Sequence, residues 1–459
     1  RWLAVNTATF TAEQFGAYGD GLNDDTIYIV AAVAALTTLG GGSLVFSRTY
    51  KLTENSTGST QTRFTISSDN VTLVFSSRTK FLVKSDSATT IIFALAGVSY
   101  FKTIGTLHVE SDASTPYTTT GEYGAKALVI YNANGKSSAH INIEKVLVTR
   151  GSGGVFISNA YAAANRVTNI SIGEIRTFDV TYGFNAQNNG DGVDIGLVYT
   201  YNAYRSYFAY GCESHRANVE ARSPHTAGTP LNLTTYSVAE GGSGVNTDDM
   251  VINLSVSNGG LESTIATIRN IGDGGASQKV SNIQLRIHTD YTPTTVLALI
   301  NFDTDGGSAS AIAFAAKIEN IFIECNTPLA TTPLVYSPCS WITRPTVIWQ
   351  GMSGATTTQI RSYQPIVDFR VTKKGSQYFL DDIVLENNIS LTWLSTSNVV
   401  TPLAKLDASN NTLYGASNSS ATYTALYGGT GGVYFNVNGA SRFQATDSQF
   451  RPITDNSYT

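Results

Sequence analysis

Charge is scarce in this chain. Asp, Glu, Lys and Arg make up 14% of its 459 residues, and 29 basic side chains against 34 acidic ones give a formal net charge of −5. No basic run is long enough to neutralise a row of phosphates, which removes nucleic acid from the expected partners. Cysteine is nearly absent too. Cys212, Cys325 and Cys339 are odd in number and far apart, which argues against a disulfide framework or a zinc site and suits folding in a reducing cytosol. No apolar run reaches the roughly 18 residues of a membrane span, so membrane insertion is not expected. The opening RWLAVNTATF lacks the layout of a signal peptide, and we expect either export without a signal or a trimmed N-terminus. Walker, HExxH, GxSxG and paired CxxC patterns are missing, so nucleotide, zinc-protease, α/β-hydrolase and redox chemistries have no support, and neither cofactor nor metal is expected.

What is abundant is Gly (41), Tyr (24), Thr, Ser and Asn, with only two Met. That profile suits pleated, half-buried surfaces and predicts an all-β chain with little helix. One helix is expected, inside FGAYGDGLNDDTIYIVAAVAALTTLGGGSLVFSRTYKL (residues 15–52). Asp24 or Asp25 can cap it, Ile27, Val30, Ala31 and Ala34 follow the i, i+3, i+4, i+7 spacing, and Gly40 to Gly42 stop it. The segment resembles the opening of right-handed parallel β-helix proteins of the pectate-lyase-like superfamily, phage tailspikes above all. In them this helix caps the open end of the solenoid. Ser47 and Arg48 stand where that family has Pro-x-Gly, a small departure in a turn.

Between residues 64 and 351 one kind of strand recurs: INIEKV (141), ISIGEI (170), VDIGLV (193), ANVEAR (217), INLSVS (252), IQLRIH (283) and IFIECN (321). The spacing runs from 23 to 38 residues, natural for β-helix coils whose loops vary on one side. A second strand family lies upstream: ALVIYN, GVFISN, YGFNAQ, SYFAYG, ATIRNI and ALINFD. Alternation predicts that Val129, Phe156, Phe184, Phe208, Ile268 and Ile300 share one core column, with Tyr210 also inside. It sends Arg205, Tyr207 and Arg269 outward from the upstream strands and Glu220, Arg222, Arg286 and His288 outward from the downstream ones, onto one lateral surface.

The densest polar stretch is RSYFAYGCESHRANVEARSPHT, residues 205–226. Two chemistries suit it. β-Elimination at a uronic acid needs a cation to offset the sugar carboxylate, a base for the α-proton and an acid for the leaving oxygen. Arg222 and Arg205 can neutralise, His215 or His225 can be the base, and Tyr207 can supply or take a proton. The expected catalytic set is therefore Tyr207, His215, Arg222 and His225, and the substrate-binding set Arg205, Arg216, Glu220, Arg269, Arg286 and His288. Hydrolysis needs two carboxylates, for which Glu213 with Glu220, or Asp248 with Glu240, are candidates. His108 and His140 stand apart and are expected to be structural, and a glycan-gripping adhesin that does not cut is a third possibility.

Four regions are expected: a lead-in (1–14), a right-handed parallel β-helix (15–351, capping segment 15–52), a linker (352–382) and a C-terminal intertwined β region (383–459). Short alternating strands in the last are too thin for a core of their own and predict trimerisation. Its FRPITDNSYT ending resembles the region just upstream of the cleaved intramolecular chaperone of trimeric phage tail fibres and spikes. The two resemblances together imply a homotrimeric tailspike capsule depolymerase, and the overall layout with the Arg/His/Tyr cluster is similar to that of the heparosan-type lyases among them. They imply attachment to a phage tail or baseplate, folding in the host cytoplasm, action at the outer surface of the host bacterium, and an acidic bacterial surface polysaccharide as partner.

Overall fold

A computed structural model describes residues 8–52, 60–83 and 89–112. From 117 to 304 it omits 119–120, 123, 134, 159–165, 188–189, 226–227, 235–245, 260–263, 271–278 and 291–299. Beyond that it describes strands lying between 317 and 452, and it describes side chains as far as residue 324. The chain divides into two compact units, Arg1–Asp381 and Asp382–Thr459. The first is a parallel β-helix, with one ladder of parallel strands from Thr9–Thr11 to Arg370–Lys373. In the second, two antiparallel sheets form, one of Ser390–Leu394, Val400–Leu406 and Thr412–Tyr414, the other of the four strands between Thr424 and Pro452.

The central coils are β1 (Ala139–Ser158), β2 (Val167–Gln187), β3 (Gly190–Tyr210), β4 (Glu213–Arg222), β5 (Leu231–Thr234), β6 (Thr247–Ser257), β7 (Ala266–Asn270), β8 (Lys279–Thr289), β9 (Ile300–Thr304) and β10 (Lys317–Thr327). β1 to β3 each run across two faces of the coil, with a one-residue corner between the faces. On the first face, residues 141–149 of β1 and their equivalents, inward positions stack coil on coil. One column reads Ile141, Ile170, Val193, His215, Met250, Ile283 and Ile321; the next reads Ile143, Ile172, Ile195, Ala217, Ile252, Leu285 and Ile323. All are buried, and each fully buried Val, Ile or Leu contributes about 1.5–3 kcal/mol.

Corners are turned by single residues in the left-handed region. His140, Asn169, Gly192, Ser214, Asp249, Asn282 and Asn320 occupy that position before the first face, and Arg150, Asp179, Asn202, Ser223 and Asn258 occupy it before the second. Asn, Asp, Ser and Gly dominate because a short polar side chain tolerates this backbone. They also bond along the stack: the Asn320 amide donates to Asn282 Oδ1 (3.2 Å), the Asn282 amide to Asp248 Oδ1 (2.9 Å), and the Asn202 amide to Asp179 Oδ1 (2.7 Å).

The capping helix spans Thr26–Leu39 and ends at Gly40, whose φ of 74° lets its N–H reach back to the last carbonyls. Its buried face is Ile29, Ala32, Val33 and Leu36, not the expected Ile27, Val30, Ala31 and Ala34; Ile27 is 67% exposed and Val30 45%. A helix apolar all round satisfies the spacing on several faces, so periodicity does not choose among them. Asp25 is buried beneath it, and its carboxylate accepts the backbone N–H groups of Tyr18 (2.6 Å), Gly19 (3.2 Å) and Lys51 (3.3 Å).

The expected core column of the second face is corrected by the register. Val129 pairs with Phe156, Phe156 with Asn185, and Asn185 with Phe208, whereas Phe184 pairs with Tyr207. Phe184, Ile268 and Ile300 are core residues. Val129, Phe156, Phe208 and Tyr210 are buried as expected, but in a separate cluster with Tyr182 and not in the column of Phe184.

The corner geometry carries a test. Asn282→Gly keeps the left-handed backbone at little cost, whereas Asn282→Val forces a β-branched residue into it and is expected to destabilise by a further 1–2 kcal/mol or so. Urea midpoints of the two variants measure this directly; equal midpoints would contradict the role given to the corner.

Candidate functional site

The alternation that builds the coils removes two expected catalytic residues from the surface. Tyr207 and His215 are both 0% exposed. Tyr207 follows Phe184 inward, and His215 fills a core position between Val193 and Met250. They satisfy one another. The His215 Nε2–H donates to the Gly190 carbonyl (3.1 Å), which leaves Nδ1 to accept the Tyr207 hydroxyl at 2.6 Å. Burial pushes the Tyr207 hydroxyl well above its ordinary pKa and lowers His215 to about 4. This closed polar pair has no face for a substrate.

The remaining candidates divide between two faces. Arg205 and Arg269 belong to the second, beyond the Asn202 corner, not to the surface that holds Glu220 and Arg222. Arg205 lies over the rings of Phe208 (4.7 Å), Tyr204 (5.4 Å) and Tyr182 (5.7 Å) and donates to the Tyr182 hydroxyl (3.3 Å). Arg269 continues the Tyr210–Thr234 column and is part-exposed. His225 is half-buried in the turn after β4, where burial lowers its pKa and its ring lies 6.1 Å from Tyr204.

On the outer side of the first face the expected Arg216, Glu220, Arg222, Arg286 and His288 all point to solvent. Arg216 is set apart, in the column of Asp194 and Val251. Three other columns carry the chemistry. The middle one runs Arg176, Tyr199, Glu220, Ser255, His288 through β2, β3, β4, β6 and β8, flanked on one side by Phe178, Tyr201, Arg222, Ser257 and on the other by Asn218, Asn253, Arg286, Glu324. Between them lies an open cavity of about 700 Å³ lined by Leu197, Asn218, Glu220, Ser255, Arg286 and His288, among others. It starts at a bulge, where β3 spends one more residue than β4 between Ile195 and Val198.

Aromatic and ionic groups interleave here. Tyr199 sits between the guanidinium groups of Arg176 (5.3 Å) and Arg222 (5.7 Å), 5.8 Å from Phe178, and Tyr201 beside it is 44% exposed. Glu220 accepts from Nε and Nη2 of Arg222, both at 2.9 Å, and Arg286 lies 3.4 Å from Glu324. Glu174 is held by Lys145 (2.6 Å) and by Arg176. Burial works to raise the Glu174 carboxyl, but these two cations outweigh it and keep it below the ordinary range. Sequence reasoning missed Arg176, Phe178, Tyr199, Tyr201, Asn218 and Asn253, although the alternation used for Glu220 and Arg222 reaches them on neighbouring coils.

Of the two expected carboxylate pairs, Glu213 with Glu220 does not form. Glu213 and Glu220 are seven residues apart on one strand, roughly 20 Å at a strand's rise, against the 5–9.5 Å or so that glycoside hydrolysis uses. Glu213 is bound by Arg166 at 2.9 Å. Asp248 Oδ1 accepts from Ser281 (2.8 Å) and Asn282 (2.9 Å), and Glu240 lies outside the described residues. Among the described residues no group of three or more His, Cys, Asp and Glu is placed to hold a metal ion, and no helix is long and apolar enough to cross a membrane.

No protein-family profile matches this chain, and no curated protein does. Solved structures do. The A-module of the Azotobacter vinelandii mannuronan C-5 epimerase AlgE6 is 15% identical over 80% of this chain and 100% of its own, with a TM-score of 0.45. The Acinetobacter phage vb_AbaP_AS12 gp42 tailspike is 12% identical over 100% of this chain and 85% of its own (TM-score 0.34). PfbA, a surface adhesin of Streptococcus pneumoniae, is 11% identical over 93% and 99% (TM-score 0.35). Likenesses this distant carry no argument about function.

The buried pair predicts a pH dependence of stability. His215 has a pKa depressed to about 4 in the fold against about 6.5 unfolded. Its contribution is complete above pH 6.5 and is lost as pH falls toward 4, with about 2 kcal/mol gone by pH 5. Urea unfolding of wild type and His215→Gln between pH 7.5 and 5 is expected to show the variant losing less stability over that window; parallel curves would refute the assignment.

Proposed function

We propose that this chain is a phage tailspike that binds and depolymerises an acidic polysaccharide of a bacterial surface in the first-face groove, most simply by β-elimination at a uronic acid. One observation carries the reading: Tyr199 lies between Arg176 and Arg222, on the same outer face as the open cavity that Glu220, Arg286 and His288 line further along the stack. Aromatic rings offer faces to sugar rings, and guanidinium forks match carboxylates. In an elimination, Arg222 or Arg286 offsets the uronate carboxylate and His288 removes the α-proton. The electrons of that C–H bond form the double bond as the glycosidic C–O bond breaks, and the departing oxygen takes up a proton from solvent water, which reaches the open groove. His225 and Arg205 lie around the corner from this groove, which favours His288 as the base.

A second reading has its own support. With Tyr207 and His215 sealed in the core and Glu213 far from Glu220 along one strand, a spike that grips a glycan without cutting it needs nothing more than the Arg and Tyr columns. The C-terminal unit belongs to either reading as a trimerisation region. Its sheets of three and four strands are small and leave edges that copies of the chain can cover.

Digestion of a uronate-containing capsule is expected to release oligosaccharides with unsaturated, ultraviolet-absorbing ends. Arg222→Ala is expected to lower kcat/KM at least tenfold, about 1.4 kcal/mol; His288→Ala acts mainly on kcat, and added salt weakens binding. Tyr207→Phe instead lowers stability and spares turnover. Binding with no new ends would leave the adhesin; products that have gained water would replace elimination with hydrolysis. Separately, full-length chain is expected to sediment as a trimer and chain ending at Asp381 as a monomer, and a stable trimer of the shorter chain would remove the role given to residues 382–459.

A further inference from the structure

The corner before the first face departs from its own chemistry at two successive coils. Upstream of His140 the corner column continues through Tyr100 and Asn70: Ser99 bridges Ala139, the Tyr100 N–H donates to the Ala139 carbonyl (3.1 Å), and the Asn70 N–H donates to the Ser99 carbonyl (3.0 Å). Tyr100 (φ 60°) and His140 (φ 56°) therefore hold the left-handed backbone that the coils around them give to Asn70, Asn169 and Gly192. Their rings stack, with centroids 5.0 Å apart and planes 9° from parallel. This backbone strains a bulky side chain, and burial does not offset the strain, because Tyr100 is 61% exposed and His140 is exposed as well. Strain kept without burial belongs with ligand contacts rather than with stability.

The two rings also interrupt a ladder of amides. Later corners bond along the stack, Asn320 to Asn282 and Asn282 to Asp248. Around the ring pair, Asn70, Asn142 and Asn169 are exposed, and their side chains make no hydrogen bond among the described residues. Because neighbouring coils are about 4.8 Å apart, the rings lie one above the other along the axis. Shorter side chains stand on the coils beyond, Asn70 on one side, Asn169 and then Gly192 on the other, and they leave ring surface in solvent. Charge of neither sign dominates. Lys102 lies two residues past Tyr100, and Asp69 precedes Asn70, with its Oδ1 accepting the Ser99 N–H (2.7 Å).

From this geometry we infer that Tyr100 and His140 form a second binding site, separate from the first-face groove, that takes an uncharged sugar ring without cutting it. The sugar lays a C–H face on an aromatic face, and the amides of Asn70, Asn142 and Asn169 donate to and accept from its hydroxyl groups. A nucleotide fits less well, since its phosphates would meet Lys102 and no second cation on this corner. The site lies two coils ahead of Tyr199 and at the edge of the face rather than on it. It therefore stands whether or not the groove acts on an acidic polymer.

The double variant Tyr100→Asn, His140→Asn gives these corners the residue that their neighbours use, so it is expected to fold with a urea midpoint equal to or above that of wild type. Surface plasmon resonance on the immobilised full chain then tests maltohexaose, cellohexaose, chitohexaose and mannohexaose as neutral probes. Wild type is expected to bind at least one of them, and the double variant to bind it at least tenfold more weakly. Binding of a uronate-containing capsule is expected to be the same for both proteins. No neutral probe bound by wild type, or equal binding by the double variant, overturns the inference. A lower urea midpoint gives the rings a structural role and overturns it too, and a double variant that loses self-association in sedimentation while still binding the sugar assigns them to a contact between copies. Failure of wild type to bind the capsule counts against the groove alone.

Discussion

Everything in this chain depends on parallel registration of one coil on the next. A parallel ladder leaves no freedom along the strand: once Ile170 sits on Ile141 and Val193 on Ile170, every side chain above and below is assigned to core or solvent. The corners keep that registration. One left-handed residue per corner, recurring through His140, Asn169, Gly192, Ser214, Asp249, Asn282 and Asn320, lets coils of very different loop length return to the same place. Insertions are taken up outside the strands, and the columns stay in line.

Columns in line are what turn a stack of coils into a patterned outer surface. Outward side chains on the first face repeat at the interstrand spacing, so a groove along the axis presents a chemical sequence rather than a single constellation. Tyr199 illustrates the point. Its ring is held from both sides by groups one coil away, Arg176 and Arg222, each of them oriented in turn by a carboxylate two residues back on its own strand, Glu174 and Glu220.

The architecture was legible in the sequence because it rests on a two-residue period and on turn chemistry, both local. The INIEKV-type strands were aligned to the same face that the structure gives them, and the outward placement of Glu220, Arg222, Arg286 and His288 followed. What failed was parity across a corner. A coil that advances 23 residues from Phe184 to Tyr207 differs by one from an alignment of Phe184 with Phe208, and one residue exchanges inside for outside. That single slip put Tyr207 on the surface and Phe208 in the column that Tyr207 fills. His215 failed for a different reason. A histidine in a strand reads as polar, and only its neighbours Val193 and Met250 in space show that the position is aliphatic and that Tyr207 and the Gly190 carbonyl absorb both ring nitrogens.

The groove and the bulge at its head have one cause. Through β3 each coil of the first face carries an extra residue, and the additional backbone approaches the coil before it so closely that a Cβ at Gly196 would come within 2.5 Å of the Gly173 carbonyl oxygen. From β4 onward the extra residue is gone. The Gly196 carbonyl, left without a ladder partner, accepts the Asn218 side-chain amide at 2.8 Å, and Asn253 passes the same bond to Asn218 on the next coil. The outer surface steps inward where this happens, with Leu197 on one side and Asn218, Asn253 and Arg286 on the other. The concavity is therefore produced by the backbone and lined by amides that satisfy it.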